Sequence, residues 1–98
     1  MELKRLKIGE FVISRAGRDK GKLLIVVERV DDTFVRVVDG DLRRMNHPKL
    51  KKIMHLNLVN YKDDALAVAL ESGESITDHS IRKSIEHYRN VTKPPRRE

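Results

Sequence analysis

Residues 16–22 read AGRDKGK, with Gly17 and Gly21 bracketing Arg18, Asp19 and Lys20, and Lys22 following. Glycines beside a lysine are the raw material of a phosphate cradle. A nucleotide-binding P-loop, however, requires G-x-x-x-x-G-K and then Ser or Thr, whose hydroxyl holds magnesium. Here only three residues separate the glycines and Leu23 follows Lys22, so spacing and chemistry both exclude that motif. What remains is phosphate recognition by side chains. Arginine grips phosphate through two parallel N–H bonds, and lysine acts as a point charge. Two clusters supply such groups. Arg15, Arg18, Lys20 and Lys22 surround the glycine pair, and Arg43, Arg44, Lys49, Lys51 and Lys52 lie on either side of Pro48.

Other chemistries find no complete set of residues. His79 and His87 fall eight apart near one face of a helical pattern, but no third ligand accompanies them, so a structural or solvated role is expected. His47 borders the basic loop and reads as a surface residue. Asp39 and Asp41 around Gly40 form too short a segment for a calcium loop. Ser14, Ser72, Ser75, Ser80 and Ser84 have no His and Asp partners at a glycine-rich elbow. Cysteine is absent, which removes disulfides and thiolate zinc sites. No enzyme, metal or cofactor is expected.

The chain has 98 residues, the size of one domain. Hydrophobic residues make up 39% and charged residues 37%, an ordinary core in an unusually charged shell. No apolar run approaches the ~18 residues of a membrane span and no signal-peptide pattern opens the chain, so a soluble cytoplasmic protein is expected. Net charge is +6, and all of it falls in residues 1–58, with 14 Lys and Arg against 8 Asp and Glu. Residues 59–88 carry 3 against 6, and residues 89–98 carry 4 against 1. A basic module, an acidic segment and a basic tail follow one another. Confined positive charge is the footprint of a polyanionic partner.

Short apolar runs position these residues. Phe11–Ile13 and Leu23–Val30 read as strands, the second apolar toward both faces. Asp31–Thr33 makes a turn and Phe34–Val38 returns as a strand, with Phe34 expected in the core. A turn at Asp39–Asp41 precedes a short strand at Leu42–Met45, a loop at Asn46–Pro48 and a last strand over Ile53–Leu58. Five short strands in so few residues predict a small, curved barrel. Gly17 and Gly21 then serve a tight connection that requires positive φ, and their missing Cβ atoms leave room for a close backbone approach. After residue 58 the period changes. Asp63 and Asp64 suit the cap of a helix over Ala65–Glu71, although Leu66–Leu70 also fits a strand. A second helix over 76–91, capped by Thr77 or Asp78, places Ile81, Ile85 and Tyr88 on one face.

The stretch GEFVISRAGRDKGKLLIVVERV, residues 9–30, resembles a KOW motif of ribosomal proteins and NusG-type transcription factors. VDDTFVRVVDG, the basic LRRMNHPKLKKI and His55-Leu56 extend the likeness across residues 7–58. Together they resemble the fourteenth-type large-subunit ribosomal proteins of eukaryotes and archaea and their short bacterial KOW-domain relatives. The resemblance implies an SH3-like five-stranded barrel that binds ribosomal RNA or ribosomal proteins. The expected organisation is mainly β: a barrel over 1–58, a helical extension packed on it over 59–91, and a mobile basic tail over 92–98.

The expected function is non-catalytic docking on structured RNA, foremost ribosomal RNA, as a ribosomal or ribosome-associated protein, with ribosomal proteins as further partners and no membrane. The candidate RNA-binding residues are the nine cations of the two clusters. Aromatic residues are only 4% of the chain, and single-strand binders normally display stacking rings. Recognition by shape and phosphate therefore fits better than base readout. The competing expectation is a protein-interaction module, since SH3-like barrels also bind peptides.

Overall fold

In the computed structural model, which describes residues 6–92, consecutive apolar residues decide the layering. Strand β1 is Glu10–Ser14, β2 is Leu23–Arg29 and β3 is Phe34–Val38. Side chains alternate across a strand, so a run that is apolar at every position feeds two layers. Val12, Leu24, Val26, Val35 and Val37 enter one, closed by Leu6, Ile53 and Leu56. Phe11, Leu23, Ile25 and Val38 enter the other, on the face covered by the C-terminal helices through Leu66, Ile81 and Ile85.

Strands β4, Lys49–Lys52, and β5, Leu56–Lys62, complete an antiparallel sheet in the order β4-β3-β2-β1-β5. The expected SH3-like five-stranded barrel is not formed, because no ladder joins β4 to β5 and the sheet stays open. Counting strands predicts how many there are. Closure further requires the first and last to meet in register with a matching tilt. Strand β4 spans four residues and ends in a 3-10 turn at Ile53–His55. The Ile53 N–H bonds Thr33 O at 2.8 Å and the Arg15 N–H bonds His55 O at 2.8 Å. The chain thus crosses from the start of β3 to the end of β1 without pairing β4 to β5.

Three local readings are also corrected. Leu42–Met45 is not a strand, because Asp39 Oδ1 accepts the N–H groups of Asp41 and Arg43 at 2.9 Å each and holds the segment as a loop. The fourth strand lies inside the basic run, where lysines mask it; lysine is depleted in strands generally but common on exposed edges. The last strand starts at Leu56 rather than Ile53 and continues to Lys62, beyond the expected boundary at residue 58.

Helix α1 spans Asp64–Glu71 and α2 spans Asp78–Thr92. The cap decides between helix and strand for the first: Asp63 Oδ1 accepts the Leu66 N–H at 3.0 Å. Thr77 caps α2 through the Ser80 N–H at 3.1 Å. Ile81 and Ile85 are buried, and Tyr88 packs with Phe11 and Tyr61 at ring-centroid distances of 4.8–5.1 Å. Gly40 makes the close fit of α2 possible, since a Cβ there would lie 2.7 Å from Asp78 O. Apart from Thr92, the tail expected over 92–98 lies outside the described residues. Among those described, no helix is long and apolar enough to cross a membrane.

Candidate nucleic-acid interface

The two basic clusters converge. Residues 15–22 connect β1 to β2 and residues 39–48 connect β3 to β4. The pairings Ile13 with Leu23 and Ile25 with Val38 place both connections at the same end of the sheet. Lys49, opposite Val37, starts β4 at that end. Lys52 sits at the far end of β4, opposite Phe34, and is not part of the convergence. The gathered cations are Arg15, Arg18, Lys20, Lys22, Arg43, Arg44, Lys49 and Lys51.

Asp19 ties the two segments together. It belongs to a 3-10 turn at Gly17–Asp19 and is 1% exposed. Arg43 Nε donates to its two carboxylate oxygens at 3.0 and 3.3 Å, and Lys51 Nζ lies 3.4 Å from Oδ2. Burial alone raises the Asp19 carboxyl, but the hydrogen bond and charge of Arg43, followed by those of Lys51, outweigh it and hold the group below its ordinary range. Lys51 Nζ also donates to Ala16 O at 3.4 Å, and the Ser14 hydroxyl donates to the same oxygen at 2.9 Å. Arg43 and Lys51 are therefore structural cations whatever else they touch.

The other candidates divide by their partners. Lys22 Nζ lies 3.4 Å from Asp39 Oδ2. Arg44 Nε donates to Asp41 O at 2.8 Å, and Arg15 Nη1 to Met54 O at 3.4 Å; both bonds end on backbone oxygens, which carry no charge to offset theirs. Arg18 and Lys20 are exposed, Lys49 is half-buried, and none of the three has a carboxylate partner among the described residues. Within the two connections and β4, these eight cations stand against three carboxylates, Asp19, Asp39 and Asp41, an excess of positive charge.

Gly17 and Gly21 adopt φ of 78° and 86°, as the tight connection requires. Among the described residues their missing Cβ atoms serve no close approach. The nearest atom to a Cβ on Gly17 would be Lys51 Nζ at 3.7 Å, and nothing lies within 4 Å at Gly21. Helix α2 braces the second connection. Asp78 Oδ1 accepts the Met45 N–H at 2.7 Å, and Arg82 Nη1 donates to Gly40 O.

Sequence reasoning passed over Asp19. Its signal is a single acid inside a run of cations, at a turn whose glycines turn the backbone inward. Phe34, expected in the core, is half-buried and joins neither apolar layer. The other three aromatics pack together, so no stacking platform forms near the basic end. His47 and His55 are exposed, as are His79 and His87 on α2. Among the described residues no group of three or more His, Cys, Asp or Glu side chains is placed to hold a metal. No protein-family model matches the chain, and no curated protein matches it.

Proposed function

We propose that the chain is a non-catalytic RNA-binding protein that docks its basic end on folded RNA, with ribosomal RNA the leading class. One observation carries the reading: cations from two segments far apart in sequence gather at one end of the sheet, and Arg18, Lys20 and Lys49 have no carboxylate partner among the described residues. A rigid arch of phosphates offers the complementary surface, and Asp19 fixes the spacing of the two basic segments against it. The KOW-like stretch over residues 9–30 points the same way and supplies the ribosomal assignment. Scarce surface aromatics favour recognition by shape and backbone over base stacking.

The test is a salt titration of binding to a folded ribosomal RNA fragment. About four phosphate contacts cut affinity roughly 50- to 150-fold between ~50 and ~200 mM salt. Arg18→Glu with Lys20→Glu should lower affinity at least ~10-fold and make the salt slope shallower by roughly 1.5–2 units. Lys62→Glu with Lys83→Glu is the matched control, because neither residue belongs to the two basic segments and both sit in weak ion pairs at 3.8 and 3.9 Å. Equal losses from both pairs, or an isotherm indifferent to salt, would remove RNA docking at this surface.

A further inference from the structure

A cleft of about 550 Å³ opens beside the basic end, between α2 and the two connections. Its floor is apolar, formed by Leu23 and Ile85. Lys22, Asp41, Glu86 and Arg89 supply polar walls. The bonds of Arg82 to Gly40 O and of Asp78 to the Met45 N–H hold α2 against the second connection beside the cleft. The size falls in the range of small-ligand sites, roughly 300–1,000 Å³.

Charge decides what fits. The lining balances Lys22, Arg82 and Arg89 against Asp39, Asp41 and Glu86, so no excess positive charge is available for a bare phosphate. Lys22 and Asp39 already neutralise each other at 3.4 Å. Among the described residues, Arg89 and the Asp41 carboxylate have no side-chain partner. An electroneutral, apolar-floored cleft at the margin of a cationic surface suits a neutral planar group covalently attached to a polyanion. We infer that the cleft receives one unpaired nucleobase of the bound RNA, while its flanking phosphates stay outside on the basic end. Ionised carboxylates accept hydrogen bonds and do not donate. The two unpartnered side chains therefore favour a base that presents adjacent N–H donors to Asp41 together with an acceptor oxygen to Arg89. Guanine does so with N1–H and its exocyclic amine, and adenine does not.

This inference rests on the RNA-docking reading, and a direct experiment separates the two. Three RNA stems of identical sequence are compared by fluorescence anisotropy with the full chain: fully paired, with one bulged guanosine, and with one bulged adenosine. The bulged-guanosine stem should bind at least ~5-fold tighter than the paired stem, and the adenosine stem should not, since a well-placed polar base contact discriminates roughly 5- to 150-fold. In Asp41→Asn and in Arg89→Ala the ratio of bulged to paired affinity should fall toward one. Reading a ratio within each variant cancels the general effect of altered charge, and thermal melts confirm folding. Equal affinity for paired and bulged-guanosine stems, or a ratio unmoved by both substitutions, overturns the cleft assignment while salt-dependent binding of the paired stem keeps RNA docking intact. Absence of binding to any stem overturns both.

Discussion

Removing the Asp19 carboxylate should destabilise the fold more than any other single charge change at the basic end. The group is 1% exposed and meets Arg43 Nε at 3.0 Å and Lys51 Nζ at 3.4 Å. Deleting one side of a buried ion pair typically costs about 3–5 kcal/mol, because the partner charge stays behind unpaired. Lys51 is 10% exposed at its side chain and cannot easily rehydrate, whereas Arg43, at 26%, has partial access to water. The lower half of the range therefore applies to Asp19→Ala. Asp19→Asn keeps one acceptor oxygen for Arg43 and should cost about 2–3 kcal/mol on the same scale. For a domain this size, each kcal/mol lowers Tm by roughly 4–8 °C, so the Asn variant should melt roughly 8–24 °C below the parent. The sign with pH follows from the depressed carboxyl. The native state binds fewer protons than the unfolded chain, so the contribution is complete above the unfolded value near ~3.9 and is lost as pH falls through the lower native value. Urea unfolding of parent and Asn variant should show a constant gap between pH 5 and 7 that narrows below about pH 4. A gap under ~0.5 kcal/mol at pH 7, or one that stays level down to pH 2.5, would refute an ionised, structural Asp19.

Two further stability measurements test the packing. Gly21→Val should cost roughly 1–2 kcal/mol by thermal melt from backbone conformation alone, at φ of 86° with open space around the position. Gly40→Val should cost clearly more, because its Cβ would collide with Asp78 O and lift α2; equal losses would mean that α2 is not seated there. Ile85→Ala, at a site 5% exposed, should lose about 2–5 kcal/mol, and an unaltered melt would mean that α2 does not rest on the sheet in solution.

Much of the architecture was legible because backbone chemistry is local. Asp31 and Asp39 bond backbone N–H groups two to four residues onward, so their turns are written in adjacent letters. The helices carry their own caps, and the spacing of Ile81, Ile85 and Tyr88 names the buried face. Closure was not legible. It depends on whether β4 and β5 meet, and a residue's type says nothing about a ladder it does not make. Strand β4 was hidden for the same reason: KLKK reads as solvated charge until Val35 and Val37 are seen opposite Lys51 and Lys49.

The basic residues show the same limit at the level of the site. Position in the sequence singled out nine cations and treated them alike. Partner geometry separates them into two that are consumed by a buried carboxylate, one that pairs with Asp39, and a remainder that keeps its field. The distinction changes how the surface must be probed. Reversing Lys51 would leave Asp19 beside a new negative charge, and lost RNA affinity could then reflect lost structure. Reversing Arg18 and Lys20 touches no such contact. The C-terminal extension enters the same argument. Asp78 and Arg82 fasten α2 to the connection that carries Arg43 and Arg44, and the Ser84 hydroxyl fastens it to the Asp63 cap of α1. Residues of the C-terminal helices thus hold one of the two basic segments in place. Two fastenings therefore position the basic end: Asp19 joins the segments from inside the sheet end, and α2 clamps one of them from outside.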